Sequence, residues 1–112
     1  MKITDVGTVI ASRELDLAGH SRVSVVIGKP EAFPDGTGYY CPFRIVGLGD
    51  GAVRHAGGED SVQALELALK KIGATLYTST EAKAGLLSWE CANVAGDLGF
   101  PVPDSIRDLA PP

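Results

Sequence analysis

Residues 39–77 read YYCPFRIVGLGDGAVRHAGGEDSVQALELALKKIGATLY, and the spacing of apolar side chains changes partway through them. In the first part the period is two. Tyr39, Cys41, Phe43 and Ile45 share one face of a strand, and Tyr40, Pro42, Arg44, Val46 and Leu48 share the other. Pro42 has no N–H for a ladder, so the strand is expected to lie at an edge there or to bulge. Asp50-Gly51 is a two-residue hairpin signal. It returns the chain as a short strand, Ala52 to Ala56, with Leu48 opposite Val53 and Val46 opposite His55. Gly57-Gly58-Glu59 reads as a break. Asp60 is then a good helix N-cap, and Gln63 stands at the capping-box position. From Ser61 to about Tyr77 the stripe Val62, Leu65, Leu69, Ile72 and Leu76, with Ala68 at its edge, has the helical period. Glu66 and Lys70 make an i,i+4 pair on the wet side. Leu67 falls on nearly the opposite side, among Ala64, Lys71 and Ala74. These small neighbours imply that the Trp89–Phe100 region folds back over the helix and covers it; the alternative is that Leu67 marks a partner surface.

Working outward, Val6 to Leu17 reads as a strand with Val9, Ala11, Leu15 and Leu17 on one parity. Arg13 interrupts that parity, which implies a bulge or bend near Ser12. Ala18 to Ser21 is a turn, and Arg22 to Gly28 alternates Val23, Val25 and Ile27 against Ser24, Val26 and Gly28. Lys29 to Gly38 is rich in proline and glycine and reads as loop. After the helix, Glu81 to Gly96 is either a second helix capped by Thr80 or a turn followed by a short strand at residues 85–90. Residues 96–103 are rich in glycine and proline, and the terminal Ala110-Pro-Pro is expected to fray. The expected fold class is α+β. A curled antiparallel β-sheet of about four or more strands carries one amphipathic helix on one face and an irregular C-terminal segment. Residues 1–112 are expected to form one domain, with a β-meander over 1–56, the helix over 60–78 and the irregular segment over 79–112.

Composition narrows the function. The 112 residues are 45% hydrophobic and 21% charged, enough for one core without a disulfide or metal. The net charge is −4 and the basic residues are scattered, with only Lys70 and Lys71 adjacent, which argues against nucleic-acid binding. No stretch approaches a membrane span, and Met1 to Gly7 has no long apolar run of the secretory kind. Cys41 and Cys91 are far apart and read as free thiols in a reducing cytoplasm, with a Cys41–Cys91 disulfide as the alternative.

The run Tyr39-Tyr-Cys-Pro-Phe-Arg-Ile, the helix from Asp60 to Gly73, and Trp89 with Gly99-Phe-Pro together resemble a family of small bacterial proteins catalogued as a domain of unknown function. The resemblance covers residues 10–103 and implies no activity or catalytic residues. In similar sequences the tryptophan sits in a short extended stretch, which implies a strand around Trp89. The order of strands leading into an Asp-capped helix is also similar to the partial ribonuclease-H-like βββα domain of a bacterial antitoxin. That antitoxin's acidic strand motif and DNA-binding segment are not evident here, so this is an analogy of fold.

Motifs for chemistry are weak. Gly47-Leu-Gly-Asp-Gly-Ala resembles a dinucleotide-binding loop, but a helix does not follow it directly, so no cofactor is expected. Cys41 and His55 fall on opposite sheet faces, out of reach for a nucleophile and its base. His20, His55, Asp50, Glu59 and Asp60 lack metal-ligand spacing, so no metal is expected. Trp89 and Phe100 read as core anchors. One surface stands out: Tyr40, Arg44, Val46, Leu48, Val53 and His55 share the face away from Cys41, with the mixture found at partner surfaces. Alternatively, the N-terminal strands or the C-terminal tail cover that face. The expectation is a non-catalytic, cytoplasmic bacterial interaction module with a protein partner, in its most concrete form an immunity or antitoxin-like neutraliser. The competing readings are an enzyme with an unrecognised site and a homodimer joined through an exposed sheet edge.

Overall fold

The computed structural model describes residues 2–111. Six antiparallel strands form an open sheet: β1 (Val9–Leu17), β2 (Ser21–Gly28), β3 (Glu31–Ala32), β4 (Tyr39–Val46), β5 (Val53–Gly58) and β6 (Leu87–Ser88). Their order is β3-β4-β2-β1-β6, and β5 pairs with β4. The main helix, α1 (Ser61–Tyr77), packs on one face. A short helix, α2 (Thr80–Lys83), follows it, and a kinked 3₁₀ helix spans Asp104–Leu109. The C-terminal segment thus holds both elements between which the sequence left a choice. A single helical turn is capped by Ser79, not Thr80, and a two-residue strand ends just before Trp89. No helix among the described residues is long and apolar enough to cross a membrane.

The helix begins as the sequence implies. Asp60 Oδ1 accepts the Gln63 N–H at 2.8 Å, and Gln63 Oε1 accepts the Glu59 N–H at 2.7 Å. The first bond satisfies a donor that a helix start leaves open, and the second ties the residue before the cap back to the first turn. The buried stripe is rotated from the expected one. Ala64, Ala68, Ile72, Gly73 and Leu76 are buried, Leu65 and Leu69 are half-buried, and Val62 is 70% exposed. Small alanines let the helix approach the sheet closely, which leaves the bulkier Val62 outside. Below α1, Leu15, Val23, Val25, Ile27, Cys41, Phe43 and Ile45 form the inner sheet face.

Several boundaries differ from the sequence reading. The expected two-residue hairpin at Asp50-Gly51 is replaced by a longer connection over residues 47–52, and the register becomes Arg44 opposite Val53 and Pro42 opposite His55. Gly47, Gly49 and Gly51 all have positive φ, which permits the wider loop. Arg44 Nε donates to Gly51 O at 2.7 Å and holds it shut. Nor do Gly57 and Gly58 break the strand: β5 runs through them. A Cβ on Gly58 would stand 2.4 Å from Ala64 N, so glycine is what lets β5 end against α1. Glu31–Ala32, inside the expected loop, pairs with Tyr39–Tyr40. Pro42 is in a central strand instead of at an edge or bulge. β2 pairs with β4 as far as Phe43 and β3 takes over at Tyr40, so proline falls in the gap between them.

Arg13 does not displace β1. The register irregularity lies between Val9 and Ala11, and Arg13 stays in register opposite Val25. Its guanidinium lies 4.0 Å from the Trp89 ring centroid and 4.8 Å from that of Phe100. Its Nη1 donates to Leu98 O and Gly99 O at 3.3 and 2.9 Å. A cation is thereby accommodated on an apolar face.

The Trp89–Phe100 region does not cover Leu67, which is 39% exposed. The C-terminal chain crosses α1 at Gly73 instead, where a Cβ would stand 2.0 Å from Pro101 O. The missing side chain at Gly73 makes room for that crossing. Leu67→Asp is therefore expected to change stability by only about 0.5 kcal/mol, as for other surface substitutions. A loss of about 2 kcal/mol or more on urea unfolding would place Leu67 in a packed interface.

Candidate protein-binding face of the sheet

The face away from α1 is built by alternation along β1, β2, β4 and β5. Ser12, Val26, Arg44 and Val53 form one row across the sheet, and Glu14, Ser24 and Val46 form the next. Pro42 and His55 form a further row, beyond which Tyr40 faces Gly57. Register shifted by an even number of residues from the expected pairing, so side chains kept their faces. Tyr40, Arg44, Val46, Val53 and His55 therefore share the outer face. Leu48 does not. It sits in the 47–52 connection and packs against the core, lining a small recess with Phe43, Ile45 and Thr75.

Phe33 joins the face from the loop before β4. Its ring centroid is 5.1 Å from that of Tyr40 and 6.4 Å from that of His55, and Tyr40 and His55 are 6.2 Å apart. These tilted and edge-on contacts pre-order a three-ring cluster. No periodic signal marks Phe33, because it lies among prolines and glycines. The only local clue is its place just before Pro34-Asp35-Gly36, a turn that returns the chain to β4. Tyr40 and Val53 are half-buried, whereas Arg44, Val46 and His55 are exposed. The N-terminal segment covers part of the face. Val6 lies over Gly28, whose absent Cβ would meet Val6 O at 2.0 Å, and Pro42 is fully buried beside it.

Electrostatics on this face are mild. Partial desolvation, then the nearby Lys71 ammonium, lower the His55 pKa below 6.5. Lys71 Nζ also donates to His55 O at 2.9 Å. A depressed imidazole pKa favours the neutral ring in the folded state. Its contribution to stability is present above 6.5 and is lost as pH falls through the folded value. Proton NMR should show the His55 ring titrating below 6.5, and titration at or above 6.5 would contradict the placement.

Cys41 lies on the inner face, buried, with Sγ 3.4 Å from Gly28 O as donor. Burial pushes its thiol pKa up. His55 is on the other side of the sheet, so the two do not meet. Cys91 is free and exposed. A thiol reagent at neutral pH should label Cys91 quickly and Cys41 only on unfolding. Rapid labelling of both in native protein would show that Cys41 is not enclosed. Among the described residues, no three His, Cys, Asp or Glu side chains stand close enough to hold a metal ion.

A groove of about 890 Å³ lies apart from this face, lined by Tyr77, Lys83, Leu87, Val94, Asp108 and Leu109 among others. Tyr77 Oη is already engaged, accepting the Leu98 N–H at 2.8 Å and lying 3.4 Å from Asp97 Oδ1. A protein-family model described as a domain of unknown function, DUF6968, matches residues 11–102. No curated protein and no solved structure matches the chain.

Proposed function

The chain belongs to the DUF6968 family of unknown function, and we propose from its own geometry that it is a non-catalytic, cytoplasmic protein-interaction module that docks a partner on the outer sheet face. The observation that carries this reading is the Phe33–Tyr40–His55 cluster, set beside exposed Arg44 and Val46 on a face that α1 leaves open. Aromatic and arginine side chains on a rigid sheet supply binding energy at little entropic cost. The net charge of −4 favours a basic partner and speeds its approach. An immunity or antitoxin-like neutraliser of a basic bacterial toxin is the concrete form that fits these features.

Immobilised wild-type protein and Val46→Asp should be compared in capture from the native host. A stoichiometric protein held by the wild type and lost by a normally melting Val46→Asp supports the reading. Equal retention by both, or a small molecule as the only stoichiometric companion, overturns it.

A further inference from the structure

The sheet treats its two long edges differently. At the β5 edge, α1 lies alongside and Lys71 Nζ occupies the His55 carbonyl. At the β1 edge, β6 pairs only with Asp16 and Leu17. The Ala18 N–H donates to Leu86 O at 2.7 Å, so the even-numbered residues of β1 turn their backbone groups toward the β6 side. Ser12 and Glu14 then present their N–H and C=O groups outward, beyond the end of β6, with no strand among the described residues to receive them. Both residues are exposed, and Val9 and Ile10 next to them are 54% and 48% exposed. The irregularity between Val9 and Ala11 ends the regular edge on one side and β6 ends it on the other. An unpaired edge of this kind is a template for another strand.

Charge selects the occupant. Glu14 takes only the Ser24 hydroxyl at 2.8 Å, and neither it, Asp16 nor Glu90 forms an ion pair among the described residues. Arg22 stands opposite Asp16 across the β1–β2 hairpin. Arg13, the other cation here, is turned to the inner face between Trp89 and Phe100. A second copy would bring the same carboxylates and a further net charge of −4. We propose that the β1 edge, between Ile10 and Asp16, accepts an extended basic segment of a protein partner as an added strand, in line with β6. This rests on the reading of the protein as an interaction module and names a second contact for the same partner. Lysines or arginines at alternate positions of the segment lie over Glu14 and Asp16, and its backbone pairs with Ser12 and Glu14.

The test uses the full chain and two blocked peptides, one alternating lysine with valine and one alternating glutamate with valine. Amide exchange is followed residue by residue. The lysine peptide should slow the Ser12 and Glu14 amides by about tenfold or more, and the glutamate peptide should not. Ser12→Pro removes one outward N–H at a position where an edge tolerates proline, and should abolish the protection. If that variant misfolds, Glu14→Lys keeps the test, since it should weaken the lysine peptide at least several-fold. Unchanged exchange at Ser12 and Glu14 overturns the edge site, as does equal protection by both peptides. Protection that appears without peptide and grows with protein concentration makes the occupant a second copy and overturns the basic segment. Protection confined to Tyr40 and His55 overturns the edge while leaving the outer-face reading standing. Loss of lysate capture by Val46→Asp is a separate readout, so the two ideas fail separately.

Discussion

Replacing Arg13 with alanine is expected to lower the unfolding free energy by about 2–4 kcal/mol, although the residue is a half-buried cation without a carboxylate partner among the described residues. The guanidinium is the bridge between β1 and the C-terminal segment. It lies against both Trp89 and Phe100 and donates to two backbone carbonyls. Removing it leaves the Leu98 and Gly99 carbonyls without that donor and separates two rings. Gly99 has φ of 77°, and a Cβ there would stand 2.6 Å from Arg13 Nη1, so the local backbone is shaped around this side chain. Arg13→Lys should recover only part of the loss, because an ammonium cannot stack as a plane while it donates. Urea unfolding followed by Trp89 fluorescence measures both. A change below about 0.5 kcal/mol for the alanine variant would show that the stack is ornamental, as many surface charges are.

The second large effect reverses a familiar sign. Glycine to alanine inside a helix ordinarily gains about 1 kcal/mol. Gly73→Ala should instead cost about 1–3 kcal/mol, the range for overpacking. The new Cβ would stand 2.0 Å from Pro101 O and 3.3 Å from Val102 Cγ1. Backbone, not a flexible side chain, is in the way, so the segment at Pro101–Val102 must lift. Lifting it loosens Phe100 and with it the Arg13 stack, so the two variants are expected to be non-additive. A stabilised Gly73→Ala would mean that the C-terminal segment does not rest on α1.

These effects mark where sequence patterns stop. Alternation in β2 and β4, and the step to helical spacing after Asp60, are local properties of the chain. They assign the faces of Cys41, Phe43, Tyr40 and Arg44 without a partner strand being known. An even register shift preserves side-chain parity, so most of the outer face was legible despite the wrong turn. Leu48 was not, because the width of the 47–52 loop depends on the Arg44 bond to Gly51 O, a contact that spacing does not encode. The helix stripe was rotated because alanines at 64 and 68 permit close approach, and a pattern that counts only large apolar residues discounts them. Arg13 looks like a disruption in the sequence because a cation on an inner face is favourable only with two rings and two carbonyls from a segment more than seventy residues away. Phe33 was hidden because the two-residue strand before it is stabilised by β4, not by its own alternation.

Docking on the outer sheet face is tested most directly by a photo-crosslinking residue placed at position 46 and, as a control, at position 67 on the exposed side of α1. Irradiation in the native host should join position 46 to one protein and leave position 67 with background products. Equal products at both positions, or a specific protein at 67 and none at 46, would contradict the outer face as the interaction surface.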